Sequence, residues 1–238
     1  MVFLGCFFKL KNLEITKENN YNFDAYKASK FFLYMIFFLF ILFINGIFLK
    51  LIDNLICERF DYSFLETIQE RQSDMRNKYS ILFIVLFGPL MEELMFRLPI
   101  VLNRINIQIS ICTLSLYFVG DKIAFFSFDS ALTWIKLIPI VIIVCFGKHL
   151  ILDSHLLFIK KNFFKTYFVL LCLFFGLVHL TNFYNSVPNH LLIYSPIFTI
   201  PQIILGFFVG YLRLKKGFMA GLLFHCLFNF IIVALNYL

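Results

Sequence analysis

Seven apolar stretches, set apart by polar or charged intervals, organise the 238-residue chain. The first, Phe31–Leu51, is nearly uninterrupted and long enough to cross the ~30 Å hydrocarbon core of a bilayer. Six more follow near Ser80–Leu102, Ile105–Val119, Ala131–Gly147, Thr166–Phe183, Leu191–Leu212 and Gly217–Leu238. The pattern predicts an all-α polytopic transmembrane helix bundle of about seven spans, six to eight if the short Ile105–Val119 run is tilted or merges with a neighbour. Residues 1–30 are mixed and polar. Residues 52–79 are charge-rich with scattered apolar positions, as expected of a loop carrying a short interfacial helix. There is no fixed-period repeat and no linker. The chain divides into a polar N-terminal segment (1–30), a first span with its charged loop (31–79) and a core (80–238).

Composition supports this class. The chain is 61% hydrophobic and only 15% charged, with 35 Phe, where a soluble domain is about half apolar and a quarter charged. The net charge of +7 would suggest nucleic acid in a soluble protein. Here the cations fall mainly between apolar runs, which is the positive-inside pattern, and no basic stretch is interleaved with aromatics in a polar context. With the N-terminus cytoplasmic, the inside segments hold Lys9, Lys11, Lys17, Lys27, Lys30, Arg104, Lys148, Lys160, Lys161, Lys165, Arg213, Lys215 and Lys216, and the outside segments only Arg59, Arg71, Arg76, Lys78 and Lys122. This asymmetry predicts an integral membrane protein with its N-terminus inside. The Phe-, Ile- and Asn-rich usage points to an AT-rich bacterial genome and hence a bacterial cell membrane. The six cysteines form no CxxC pair and suggest neither a disulfide framework nor a zinc cluster. The opening apolar run is too short, and its charges too late, for a secretory signal.

Against this background a few polar residues stand out. "LFGPLMEELMFRLPIVL" (Leu86–Leu102) places Glu92, Glu93 and Arg97 inside an apolar run. A charge at membrane depth costs roughly 2.5–3.5 kcal/mol on insertion scales. Glu93 and Arg97 are four apart and can pair on one helical face. Glu92 points about 100° away, since a turn takes ~3.6 residues. "FFGLVHL" places His179 four residues after Phe175, and "GLLFHCLFNF" sets His225 and Asn229 four apart on one face of one helix. Taken singly, each of these is a packing device: an ion pair, a helix-to-helix hydrogen bond, an amide glue. Together they admit three readings, namely a structural network, a proton or ion path, and a catalytic site. The other histidines, His149, His155 and His190, fall in predicted loops and are read as solvated.

The catalytic reading has a definite chemistry. A carboxylate in a low-dielectric site is a usable general base for water. Imidazoles can orient that water, hold a metal or donate to developing charge. A carboxamide can donate to an oxyanion. These are the parts needed to hydrolyse an amide. No GxSxG or HExxH is present, and "FVGD" (Phe118–Asp121) lacks the earlier glycine and second aspartate of a GxGD protease.

In order, each within an apolar run, the chain has EExxxR (Glu92, Glu93, Arg97), FxxxH (Phe175, His179) and HxxxN (His225, Asn229). In these motifs, over roughly Ile81–Leu235, it resembles the CPBP intramembrane metalloprotease family, which includes type II CAAX prenyl endopeptidases and bacteriocin-processing or self-immunity proteins. The resemblance implies an intramembrane endopeptidase. Glu92 would activate water, Glu93 and Arg97 would support it, His179 would assist at the water or a metal, and His225 and Asn229 would stabilise the oxyanion. The family's chemistry runs through a glutamate-activated water, with zinc or another divalent metal as an alternative. A metal would be held by His179, His225 and Glu92. The implied partners are the lipid bilayer and a CAAX-type prenylated protein, a membrane-associated peptide or a bacteriocin. A non-catalytic scaffold or immunity factor of the same fold is the competing expectation. Where many members carry Gly after the motif Arg, this chain has Leu98-Pro99, which should kink or end the helix.

Overall fold

A computed structural model describes residues 25–118 and 131–235, with side chains described over 33–117 and 137–235. Most of the polar N-terminal segment and the residues around Asp121 and Lys122 lie outside the described residues. Every element among those described is helical. Nine α-helices follow in chain order: α1 Ala25–Phe60, α2 Phe64–Lys78, α3 Gly88–Phe96, α4 Arg104–Phe118, α5 Ala131–Leu150, α6 Asp153–Asn162, α7 Phe164–Val178, α8 Ile200–Lys216 and α9 Phe218–Leu235.

Among the described residues, four helical segments are long and apolar enough to cross a membrane: Leu33–Phe60, Phe164–Asn182, Asn189–Lys216 and Phe218–Leu235. A fifth is the pair Leu137–Leu150 and Asp153–Asn162, bent by 76°. The two other expected spans take different forms. Ser80–Leu102 breaks into a π-turn (Phe83–Phe87), the nine-residue α3 and a 3₁₀ turn (Leu98–Ile100). The helix stop expected at Pro99 falls here, because the proline has no N–H to bond Met95 O and continue the helix. Helix α4 has 15 residues and rises only about 22 Å. In the other direction, the first helix runs well beyond Leu51, and the expected loop at 52–79 is largely helical.

The chain forms two compact units, Met1–Ile81 with Cys172–Gly217, and Leu82–Leu171 with Phe218–Leu238. In the first, α1 packs on α8, with Phe38 against Phe208 at 4.8 Å between ring centroids. Small residues let α7 and α8 approach closely. A Cβ on Gly176 would come within 2.8 Å of Ile203 N, and one on Gly206 within 3.0 Å of Cys172 O. Membrane helices meet closely through such residues because lipid supplies no hydrophobic drive for the contact. At the polar end, Leu49, Ile56, Phe64, Phe183, Val187, Leu191 and Phe198 form a buried cluster, with Phe64 and Phe198 stacked at 4.5 Å.

Helix α2 begins on a side-chain cap. Ser63 Oγ accepts from Glu66 N at 3.1 Å, the Ser-x-x-Glu spacing of a capping box. Asp53, buried near the end of α1, completes that start. Its Oδ1 accepts from Phe64 N (2.7 Å) and Leu65 N (3.2 Å), and its Oδ2 from Ser63 Oγ (2.7 Å). These first-turn N–H groups have no partner within their own helix.

In the second unit α4 packs on α5 and on α3. Gln108 Nε2 donates to Ile143 O at 3.4 Å, beside Gly147, where a Cβ would lie 3.1 Å from Gln108 Cδ. Ser110 Oγ donates to Met95 O at 2.5 Å, and Tyr167 Oη donates to Pro99 O at 2.8 Å. Both bonds secure the stretch that follows the Glu-Glu pair. Helix α9 packs on α3 and on the π-turn.

Candidate active site

The acidic pair sits on the last two turns of α3. Glu93, Arg97 and His225 are almost wholly buried, at 0%, 1% and 2% exposure. Arg97 ends the helix, its N–H bonded to Glu93 O at 2.9 Å. Its Nε lies 3.6 Å from Glu93 Oε1, the pairing expected four residues apart. The same Oε1 is 2.9 Å from His225 Nδ1. Glu93 is therefore flanked by a guanidinium on its own helix and an imidazole from α9. A carboxylate held by an arginine is an acceptor only, so Nδ1 carries the proton and donates it.

Glu92 faces another way, as the 100° step between neighbours requires. Its side chain keeps 21% of its surface exposed, and its Oε2 lies 3.5 Å from His225 Nε2. His225 thus stands between the two acids, with Nδ1 committed to the buried one and Nε2 turned to the accessible one.

Asn229, one turn beyond His225, donates from Nδ2 to Ile84 O at 3.1 Å. The chain before α3 explains why that carbonyl needs a donor. In the π-turn the bonds run five residues back, and Gly88 N–H bonds to Phe83 O. The next bond in this series would run from residue 89 to Ile84 O, and residue 89 is a proline with no N–H. Asn229 supplies the missing donor, and a buried backbone carbonyl left without one costs free energy. π-turns inside helices concentrate at functional sites. Sequence reading passed over this device; its only signal was Pro89, three residues before Glu92 in an apolar run.

The second unit thus brings together Glu92, Glu93, Arg97 and His225, while Asn229, one turn from His225 on the same helix, meets Ile84. His179 belongs to the first unit, where it opens the 3₁₀ turn His179–Asn182 at the end of α7. Its Nδ1 lies 2.9 Å from Phe175 O. A backbone carbonyl can only accept, so Nδ1–H donates. The ring stands edge-on to Phe175 at 4.8 Å between centroids. Phe175 is fully buried, where Gly206 leaves room for it.

In the second unit Glu92 Oε2 and His225 Nε2 face each other at 3.5 Å, and His225 Nδ1 and Glu93 Oε1 are engaged with each other at 2.9 Å. A catalytic zinc takes three protein ligands. Among the described residues no group of three His, Cys, Asp or Glu is placed to hold an ion. No family model, curated protein or solved structure matches the chain.

Proposed function

We propose that the protein is an intramembrane endopeptidase in which Glu92 activates water, the reading to which the resemblance also points. The observation that carries it is the division of labour across His225. One acid is buried, ion-paired and hydrogen-bonded to Nδ1, and its neighbour in sequence is accessible and faces Nε2. A purely structural network gains nothing from a second, partly exposed carboxylate beside a buried imidazole. A hydrolase needs one.

The chemistry is general-base hydrolysis. Glu92 takes a proton from water as the water oxygen bonds to the scissile carbonyl carbon, giving a tetrahedral oxyanion. His225 donates Nδ1–H to Glu93 and so presents the Nε2 lone pair to the new Glu92 O–H, holding that proton between the two steps. Glu92 then returns it to the amide nitrogen as the C–N bond breaks, leaving a carboxylic acid and an amine. Glu93, held beside Arg97, is the acceptor that fixes the His225 tautomer. Asn229 uses one amide N–H on Ile84 O and retains the other for the oxyanion. His179 enters only through the resemblance, as an assistant at the water. No step requires a metal. The substrate class is a membrane-associated peptide or a CAAX-type prenylated protein in a bacterial cell membrane, with the enzyme's N-terminus inside and about seven segments entering the bilayer.

The test is Glu92→Gln, nearly isosteric. Membrane peptides are compared in cells with and without the protein to find a substrate, and its cleavage is then followed in proteoliposomes. A protease loses cleavage while its melting temperature holds. A scaffold or immunity factor keeps its phenotype, and a transporter shows pH-coupled ion flux; either result removes the proposal.

A further inference from the structure

Helix α6 lies in the second unit, far along the chain from Glu92 and from His225, and the site described above does not use it. Helix α5 has 20 residues and rises about 30 Å, enough to cross a bilayer unaided. At its end the chain turns by 76° into α6. The bend is clamped from α4. Arg104 Nε donates to Ile151 O at 3.0 Å, and Arg104 Nη2 bonds Asp153 Oδ2 at 2.7 Å. One guanidinium thus holds both the last carbonyl region of α5 and the first-turn acid of α6, where an acid also favours the positive end of the helix dipole.

Along α6 only Leu156 is buried, as an anchor into the unit. Leu157 and Phe158 are 64% and 58% exposed, and Phe163, just beyond the helix, touches Phe158 at 5.6 Å between centroids. Between these apolar groups stand the exposed Lys160, Lys161 and Lys165, with no exposed acid after Asp153, which Arg104 neutralises. A charge run of this kind on a soluble protein is a solvated face. Here it is joined to exposed Leu and Phe and set across a membrane helix, where Leu and Phe can enter the acyl boundary while neighbouring lysines snorkel to the headgroups. The lysines also fall in the segments that the charge asymmetry places on the cytoplasmic side, where the leaflet is anionic.

We propose that α6 is an in-plane anchor that seats Leu157, Phe158 and Phe163 at the headgroup–acyl boundary and recruits anionic lipid headgroups through Lys160, Lys161 and Lys165. It is therefore neither a solvated helix nor the second half of a broken span. The proposal is independent of the hydrolase reading.

The test uses the full chain in vesicles. The single Trp134 is replaced by Phe, and Phe158→Trp supplies the reporter, with Phe163→Trp as a second reporter if the first variant fails to fold. Bromine quenchers placed near the headgroup or near the acyl terminus give the depth. Brominated phosphatidylglycerol and brominated phosphatidylcholine at equal mole fraction then compare the two headgroups. Shallow quenching is expected to dominate. The anionic lipid should be enriched about fivefold or more at low salt, the effect of a single lysine near the surface. The enrichment should fade with added salt and disappear in Lys160→Gln/Lys161→Gln/Lys165→Gln. Emission at the wavelength of water-exposed indole, or dominant deep quenching, overturns the in-plane placement. Equal quenching by the two headgroups overturns the anionic preference.

Discussion

Asp53 and Glu93 are both carboxylates buried to the last per cent, one in each unit, and they are neutralised in different ways. Asp53 is surrounded by donors that do not titrate, namely two backbone N–H groups and a serine hydroxyl at the start of α2. Its charge answers the positive end of a helix, and nothing about it can change without loosening that helix. Glu93 is surrounded by groups that carry charge or protons, Arg97 and His225, and beside it stands a second acid with part of its surface open. A buried acid satisfied by backbone builds a fold. A buried acid satisfied by an imidazole fixes where a proton sits, and so reaches whatever the other nitrogen of that ring touches.

The largest effect expected from this contrast is on turnover. Glu92→Gln should lower kcat roughly 10²–10⁴-fold, the usual share of a general base, with the melting temperature in detergent unchanged. Asp53→Asn, at an equally buried acid, should leave kcat per folded molecule as it was. If cleavage falls equally in both, the distinction between the two acids fails.

Next in size is the buried ion pair. Arg97→Leu leaves Glu93 as an uncompensated buried charge and should cost about 3–5 kcal/mol, a melting point lower by roughly 10 °C for a chain of this size. Glu93→Gln/Arg97→Leu removes the charge as well and should recover most of that loss without recovering turnover, because Nδ1 of His225 no longer has a carboxylate to fix its tautomer. Thermal melts beside cleavage rates separate the two outcomes. A double variant as unstable as Arg97→Leu would show that the pair holds the helix by packing alone.

The same contrast shows what can be read from sequence. The Glu93–Arg97 pair, the shared face of His225 and Asn229, and the helices over 164–178, 200–216 and 218–235 follow from spacing and apolar length, both of which are local properties. Asp53 could not be read this way. Its partners lie ten to twelve residues on, across a turn in which Asp61 takes a positive φ of 53°, and hydropathy marks that region only as polar. The Ser63–Glu66 capping box was the available signal for α2. The run at 80–102 misled for the opposite reason. Its composition is that of a span, but a π-turn interrupts the regular hydrogen-bond series before Pro89, and Pro99 ends the helix after Phe96, so the helical stretch over 81–96 is shorter than the apolar run. The role of Asn229 was equally hidden, because an orphaned carbonyl 145 residues away leaves no trace in a motif.

Asp53→Ala probes the structural acid directly. It strips Phe64 N and Leu65 N of their acceptor and should cost about 1–3 kcal/mol, read as a lower melting point and as faster amide exchange confined to the first turn of α2. Exchange that rises uniformly along the chain would mean that Asp53 supports more than this helix start.

The smallest effect decides whether Asn229 belongs with the structural acid or with the catalytic one. If its amide serves Ile84 O because Pro89 cannot, then Asn229→Ala should lower stability by about 1–2 kcal/mol. Pro89→Ala, which restores an N–H five residues beyond Ile84, should make that loss smaller. The double-mutant cycle then gives a coupling of about 1 kcal/mol between positions 89 and 229, measurable by chemical denaturation in detergent. Turnover supplies the second axis. An amide that also holds the oxyanion loses that contact in Asn229→Ala whatever stands at position 89, so Pro89→Ala/Asn229→Ala should regain stability without regaining kcat. Recovery of both together would assign Asn229 wholly to the backbone it caps. Zero coupling would mean that the contact with Ile84 is incidental to the π-turn.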